Sequence, residues 1–135
     1  MTGQTLVQVE SFGYGFGPAP RAHLVVDVRD HFRDPHVSPE LRQLTATDER
    51  VVRAVLDTTG VPLLARSIVL AVGALLIGPS AGPVVVAVGC VGGRHRSPVI
   101  AAYVAQALEH GGTRTAVTHR DMGRPVIERP AGGAS

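Results

Sequence analysis

No lysine occurs anywhere in the 135 residues; all 13 basic side chains are arginine. That excludes a Walker A loop, whose chemistry needs a lysine on the β/γ-phosphates of a nucleotide. It also gives every basic site a planar fork suited to phosphate, although a base-composition bias in the gene produces the same pattern. There is one cysteine, Cys90, so no disulfide can close within the chain, and a cytoplasmic setting is expected. Met1-Thr2-Gly3-Gln4 lacks the basic and apolar blocks of a secretory signal. Aromatic residues are few, three Phe and two Tyr, which limits any surface for stacking bases. Charge is missing from Ser67 to Gly93, which raises the question of a membrane span. A span needs about 20 continuous apolar residues. Gly78-Pro79-Ser80-Ala81-Gly82-Pro83 breaks the run into two pieces that are each too short. One buried helix and one buried strand are expected instead, and no membrane partner.

What is present reads as one α/β domain, long enough to bury a core without metals or disulfides. Leu6 to Val9 is a short strand. Ser11 to Pro20 alternates Gly with Phe12, Tyr14 and Phe16, and is too rich in Gly and Pro for a helix or a central strand. His23 to Val28 is a second strand, with Asp27 and Arg29 near its end, where ligands of open α/β sheets gather. Residues 30 to 46 form a long polar connection of the kind that usually carries function. Thr47 is placed to cap a helix that carries Val51, Val52, Val55 and Leu56 on one face. Val61 to Ile77 predicts a more apolar helix and Pro83 to Val88 a buried strand. A helix follows with Val99, Ile100, Tyr103, Val104, Ala107 and Leu108 on one face, ended by Gly111-Gly112. Thr113 to Thr118 is the last strand, reached from the valine strand by a right-handed βαβ crossover. The expected result is a small three-layer sheet of about four strands with flanking helices. The domain spans residues 1–124, followed by a mobile tail over 125–135.

The chemistry concentrates in Gly89-Cys90-Val91-Gly92-Gly93-Arg94-His95-Arg96-Ser97-Pro98. A strand precedes it and a helix follows, with Ser97 suited to the N-cap and Pro98 to the first turn. Backbone N–H groups at a helix start, backed by guanidinium forks, hold anions. On this reading Gly92, Gly93, Arg94, His95, Arg96 and Ser97 are the candidate ligand-binding residues, with Arg96 pointing inward. The spacing Cys-x5-Arg is also that of cysteine-dependent phosphatases. There Cys90 would be the thiolate nucleophile, Arg96 the phosphoryl clamp and Asp27 or Asp121 the general acid. Gly89 stands where such enzymes usually carry histidine, and no acid loop is recognisable. Binding without bond breaking is therefore the favoured expectation. His36 and His95 lack the spacing of metal ligands, so neither a metal nor a cofactor is expected.

Six separated motifs occur in order: Ser11-Phe12-Gly13-Tyr14, Asp27-Val28-Arg29, Pro35-His36, Pro39 to Thr45, Gly89 to Ser97, and His119-Arg120-Asp121. Together they closely resemble the C-terminal domain of the RapZ family, bacterial RNase adapter proteins, over residues 9 to 124. The resemblance implies a sheet similar to a subdomain of phosphofructokinase, binding of structured RNA, and sensing of glucosamine-6-phosphate. It also implies homo-oligomer formation and an RNase or a separate kinase-like protein as partner. Its anion, sugar-phosphate or RNA contacts match Arg29, His36, Gly92, Arg94, His95 and Arg96 here. Arg94, Arg96, Arg120 and Arg124 are the candidate RNA contacts. The chain is expected to stand alone without the family's N-terminal kinase-like domain, so ATP chemistry is not carried over. Gly15 stands where the family usually has lysine, and Val91 where it has threonine or a similar residue. One extra residue separates Asp27 from His36, and the basic tail is reduced to Arg124 and Arg129. Each lost cation weakens phosphate contacts, so RNA binding is less secure than the anion site.

The expected function is thus a non-catalytic module that binds a sugar phosphate, structured RNA, or both, and acts as a regulatory adapter. The alternatives are a phosphatase built on Cys90, Arg96 and Asp27, and an interaction module with a vestigial pocket.

Overall fold

In a computed structural model of the chain, residues 5–80 and 82–128 are described. Four strands form one parallel sheet: β1 Val7–Gly13, β2 Leu24–Asp27, β3 Val84–Cys90 and β4 Thr115–His119. Their order is β2-β3-β1-β4. Register aligns Gly13 with Cys90, Asp27 with Gly89, and Ser11 with His119, so all four strands end on one side of the molecule. The expected loop side exists because the pairings are parallel. β4 pairs with β1 and not with β3, so the crossover through the helix after β3 passes over β1.

Four helices flank the sheet: α1 Pro39–Arg42, α2 Glu49–Leu56, α3 Val61–Leu76 and α4 Arg96–His110. α4 lies along β1, β3 and β4, while α2 and α3 pack against it. Valines dominate the enclosed core, with Val7, Val9, Val86 and Val88 from the sheet meeting Ile100 and Val104 of α4. β-branched side chains suit a pleated surface of this kind. On the other face of the sheet, Gln8, Val25 and Thr118 are exposed.

Several local expectations change. β1 runs through Ser11 and Phe12 to Gly13 at the centre of the sheet, despite the glycine-rich sequence. Gly13 is tolerated there because another backbone crosses it, as described below. The N-cap of α2 is Asp48, whose carboxylate accepts from the Arg50 N–H, and not Thr47, whose hydroxyl bonds Thr45. Ser97 lies inside the first turn of α4 and does not cap it; its hydroxyl donates to the Phe12 carbonyl at 3.1 Å. The connection over 30–46 holds a 3-10 turn at Pro35–Val37 as well as α1. β3 is buried, but α3 is not buried all round. Val61, Ala65, Ile68 and Val72 face the core, whereas Leu70 and the following Ile77 are 68% and 87% exposed. Among the described residues no single helix is long and apolar enough to cross a membrane.

Candidate anion-binding site

Where the strands end, the loop after β3 doubles back over the end of β1. A Cβ on Gly13 would lie 2.5 Å from the Gly92 carbonyl carbon. One on Gly93, whose φ is +67°, would lie 2.7 Å from the Gly13 nitrogen. The two backbones thus touch, which only paired glycines permit. Gly92 differs: a Cβ there would meet nothing within 4 Å. Across this curl, the backbone N–H groups of residues 92–97 have no acceptor among the described residues. They end at the N-terminus of a 15-residue helix, where the macrodipole adds partial positive charge.

The cationic side chains of the loop are largely occupied. Arg96 points inward and is 1% exposed, and its Nη2 pairs with the buried Asp34 carboxylate at 3.1 Å. Its Nη1 donates to the Arg29 carbonyl at 2.7 Å. The Nε–H of Arg96 is buried and has no partner among the described residues. Arg94 donates from Nε to the Leu44 carbonyl at 3.0 Å, from Nη1 to the Arg124 carbonyl at 3.0 Å, and from Nη2 to the Gln43 carbonyl. His95 is buried with Nε2 at 2.9 Å from the Leu44 carbonyl oxygen. Burial holds its pKa below the ordinary histidine value, partly offset by that hydrogen bond. Cys90 is buried, with its sulfur 3.2 Å from the Ser97 hydroxyl.

Around the loop stand the other candidates. Arg29 pairs with Asp27 at 2.7 Å and lies over the Tyr14 ring, 3.7 Å from its centroid. The hydrogen bonds from Arg29 hold the Asp27 carboxyl below the usual carboxylate range. Desolvation and the Asp27 charge raise the Tyr14 pKa. Asp121 is buried and accepts from the Gly13 N–H and from the Nε of both Arg120 and Arg124. Arg120 also donates to the Pro18 carbonyl at 2.8 Å.

A cavity of about 20 Å³ opens against the loop. Cys90, Gly92 and Arg94 to Arg96 form one side, and Asp34 and His36 another. Pro125, Val126 and Ile127, from the segment read as a mobile tail, supply a third wall; the residues from 129 onward lie outside the described residues. The structure therefore gathers His36, Gly92, Arg94, His95 and Arg96 around one space. Arg29 is linked to it only through its carbonyl bond to Arg96, and Arg120 sits beyond Asp121. Sequence reasoning missed Asp34. Its position before Pro35-His36 is a turn signal, and its carboxylate does cap that turn through the His36 N–H. It also missed the 125–127 wall, which no local pattern announces.

Comparison with known proteins agrees with the motifs. A family model described as the RapZ C-terminal domain matches residues 5–123. A nucleotide-binding protein of Streptomyces coelicolor is 41% identical over 123 residues, which cover 86% of this chain and 40% of that protein. A nucleotide-binding protein of Thermus thermophilus is 40% identical over 126 residues, covering 90% of this chain and 45% of its own length. One from Symbiobacterium thermophilum is 36% identical over 123 residues, with coverages of 89% and 40%. The chain thus spans less than half the length of these relatives.

Proposed function

This chain belongs to the RapZ C-terminal domain family, and on that premise we propose that it is a regulatory module that holds a phosphorylated ligand at residues 89–97 without cleaving it. The ligand is a sugar phosphate of the glucosamine-6-phosphate type or the phosphate of a structured RNA. The observation that carries this reading is the run of N–H groups over 92–97 without an acceptor among the described residues, beside a cavity lined by Arg96, whose Nε–H likewise has no partner among them. Donors fixed in this way need no reorganisation to receive an oxyanion. Because Asp34 neutralises Arg96, backbone N–H groups hold the phosphate and the arginine mainly shapes the loop. His36, His95 and Arg94 surround the bound group; Arg29, half-buried beside Tyr14, lies next to the site.

Holding is favoured over breaking by the acids. Asp27 is kept ionised by Arg29 and has no proton ready for a leaving group, and the Asp121 carboxylate is turned to Gly13, Arg120 and Arg124. The Arg96 fork that a phosphatase would aim at the phosphoryl group is turned to Asp34. An adapter role toward an RNase or a kinase-like partner is the regulatory output that the family suggests.

The test is calorimetric titration with inorganic phosphate, glucosamine-6-phosphate and a structured RNA, on the wild type and on Gly92→Val. The Cβ meets nothing within 4 Å, so the urea midpoint should hold while affinity for all three falls by at least about tenfold. Equal affinity in the two proteins, or no heat in the wild type, sinks the loop as the site. For RNA, the logarithm of affinity should fall with the logarithm of salt, and a flat line removes phosphate contacts from the account. Hydrolysis of an aryl phosphate that disappears in Cys90→Ser would establish catalysis instead.

A further inference from the structure

We infer that residues 124–127 are a strap that closes the cavity and is displaced when a phosphate monoester enters; this rests on the reading of residues 89–97 as an anion site. The cavity of about 20 Å³ has room for about one water molecule. A phosphate with four oxygens is larger than one water, so it enters the space fully only if one wall gives. The Asp34–Arg96 wall is an ion pair whose side chains are 1–2% exposed, and the loop is pinned where Gly93 meets Gly13. The strap is the wall with the least holding it. Arg124 and Pro125 are exposed, and Val126 and Ile127 are half-buried.

Three contacts hold the strap down. Ile127 sits over Gly15, where an added Cβ would lie 2.3 Å from its Cδ1, so the missing side chain of Gly15 makes the seat. Arg124 donates to Asp121 at 2.9 Å and its guanidinium lies 5.2 Å from the Phe16 centroid. Arg94 donates to the Arg124 carbonyl at 3.0 Å, and the same arginine lines the cavity. An incoming phosphate therefore competes with a neutral carbonyl for a charged donor, and a charge-assisted bond is the stronger of the two. Ligand binding and strap closure are mutually exclusive, so the apparent affinity is lowered by the fraction of molecules with the strap shut.

The experiment uses the full chain with inorganic phosphate as probe. Affinity is measured for the wild type, for Ile127→Ala, which empties the seat, and for Gly15→Ala, whose methyl would meet Ile127 Cδ1 at 2.3 Å and the Val91 carbonyl oxygen at 3.1 Å. Both variants should bind at least about threefold more tightly. In the wild type, phosphate should speed hydrogen exchange at the amides of residues 126–128. Equal affinity in all three proteins, weaker binding in Ile127→Ala, or unchanged exchange overturns the strap while leaving the loop as a site. No binding in any of the three overturns both.

Discussion

Arg96 carries more of the fold than its place in a surface loop suggests. Removing its guanidinium would leave the Asp34 carboxylate buried without its ion-pair partner, and one-sided removal of such a pair typically costs about 3–5 kcal/mol. Arg96→Ala should therefore lower unfolding free energy in urea by roughly that amount. The double variant Arg96→Ala/Asp34→Ala should lose less than the sum of the two single changes. Loss of ligand binding in Arg96→Ala alone would consequently say little about the site, which is why Gly92 is the better probe. The glycines divide in the same way. Gly13→Ala and Gly93→Ala force a methyl into opposing backbone and should each cost at least about 2 kcal/mol, whereas Gly92→Ala should stay within about 0.5. The need for glycine in this loop was legible in the sequence; which of them touches backbone and which faces open space was not, because that depends on β1 arriving alongside.

Among the elements, α3 departs most from expectation. Its uncharged composition reads as burial, yet the core takes only one stripe and leaves Leu70 and the neighbouring Ile77 outside. Apolar content reports how many side chains could be buried, and only the packing partners decide how many are. Leu70→Gln and Ile77→Gln should accordingly leave the urea midpoint within about 0.5 kcal/mol of wild type while raising solubility in light scattering. β3 behaved as its pattern implied, paired on both edges by β1 and β2 and covered by α4, whereas the expected apolar face of α4 holds except at Tyr103, which is exposed. β1 did not follow its pattern, because its last three residues are chosen for close approach of the 92–93 backbone and for the Ser11–His119 hydrogen bond at 2.7 Å, not for strand propensity.

The parallel register gathers the ends of all four strands, and with them the buried imidazole of His95 and the half-buried one of His119. Burial lowers both pKa values from the ordinary 6.5, so below that pH the unfolded chain binds protons that the folded chain resists. Stability is then complete above about pH 6.5 and declines as pH falls toward the folded values. Urea titrations from pH 7.5 to 5 should show this loss, and His95→Gln should make the slope shallower. The sequence by itself determined the α/β class, the strand–loop–helix unit around residues 89–97, and the identity of its cations. Those are local matters of periodicity, glycine placement and side-chain type, written within a few turns of chain. Only the tertiary structure decided that Asp34 would take the Arg96 fork, that Asp121 would collect Gly13, Arg120 and Arg124, and that Ile127 would sit over Gly15. Each of these joins residues far apart in the chain, and a partner brought in by the fold decides whether a charged group serves a ligand or its own protein.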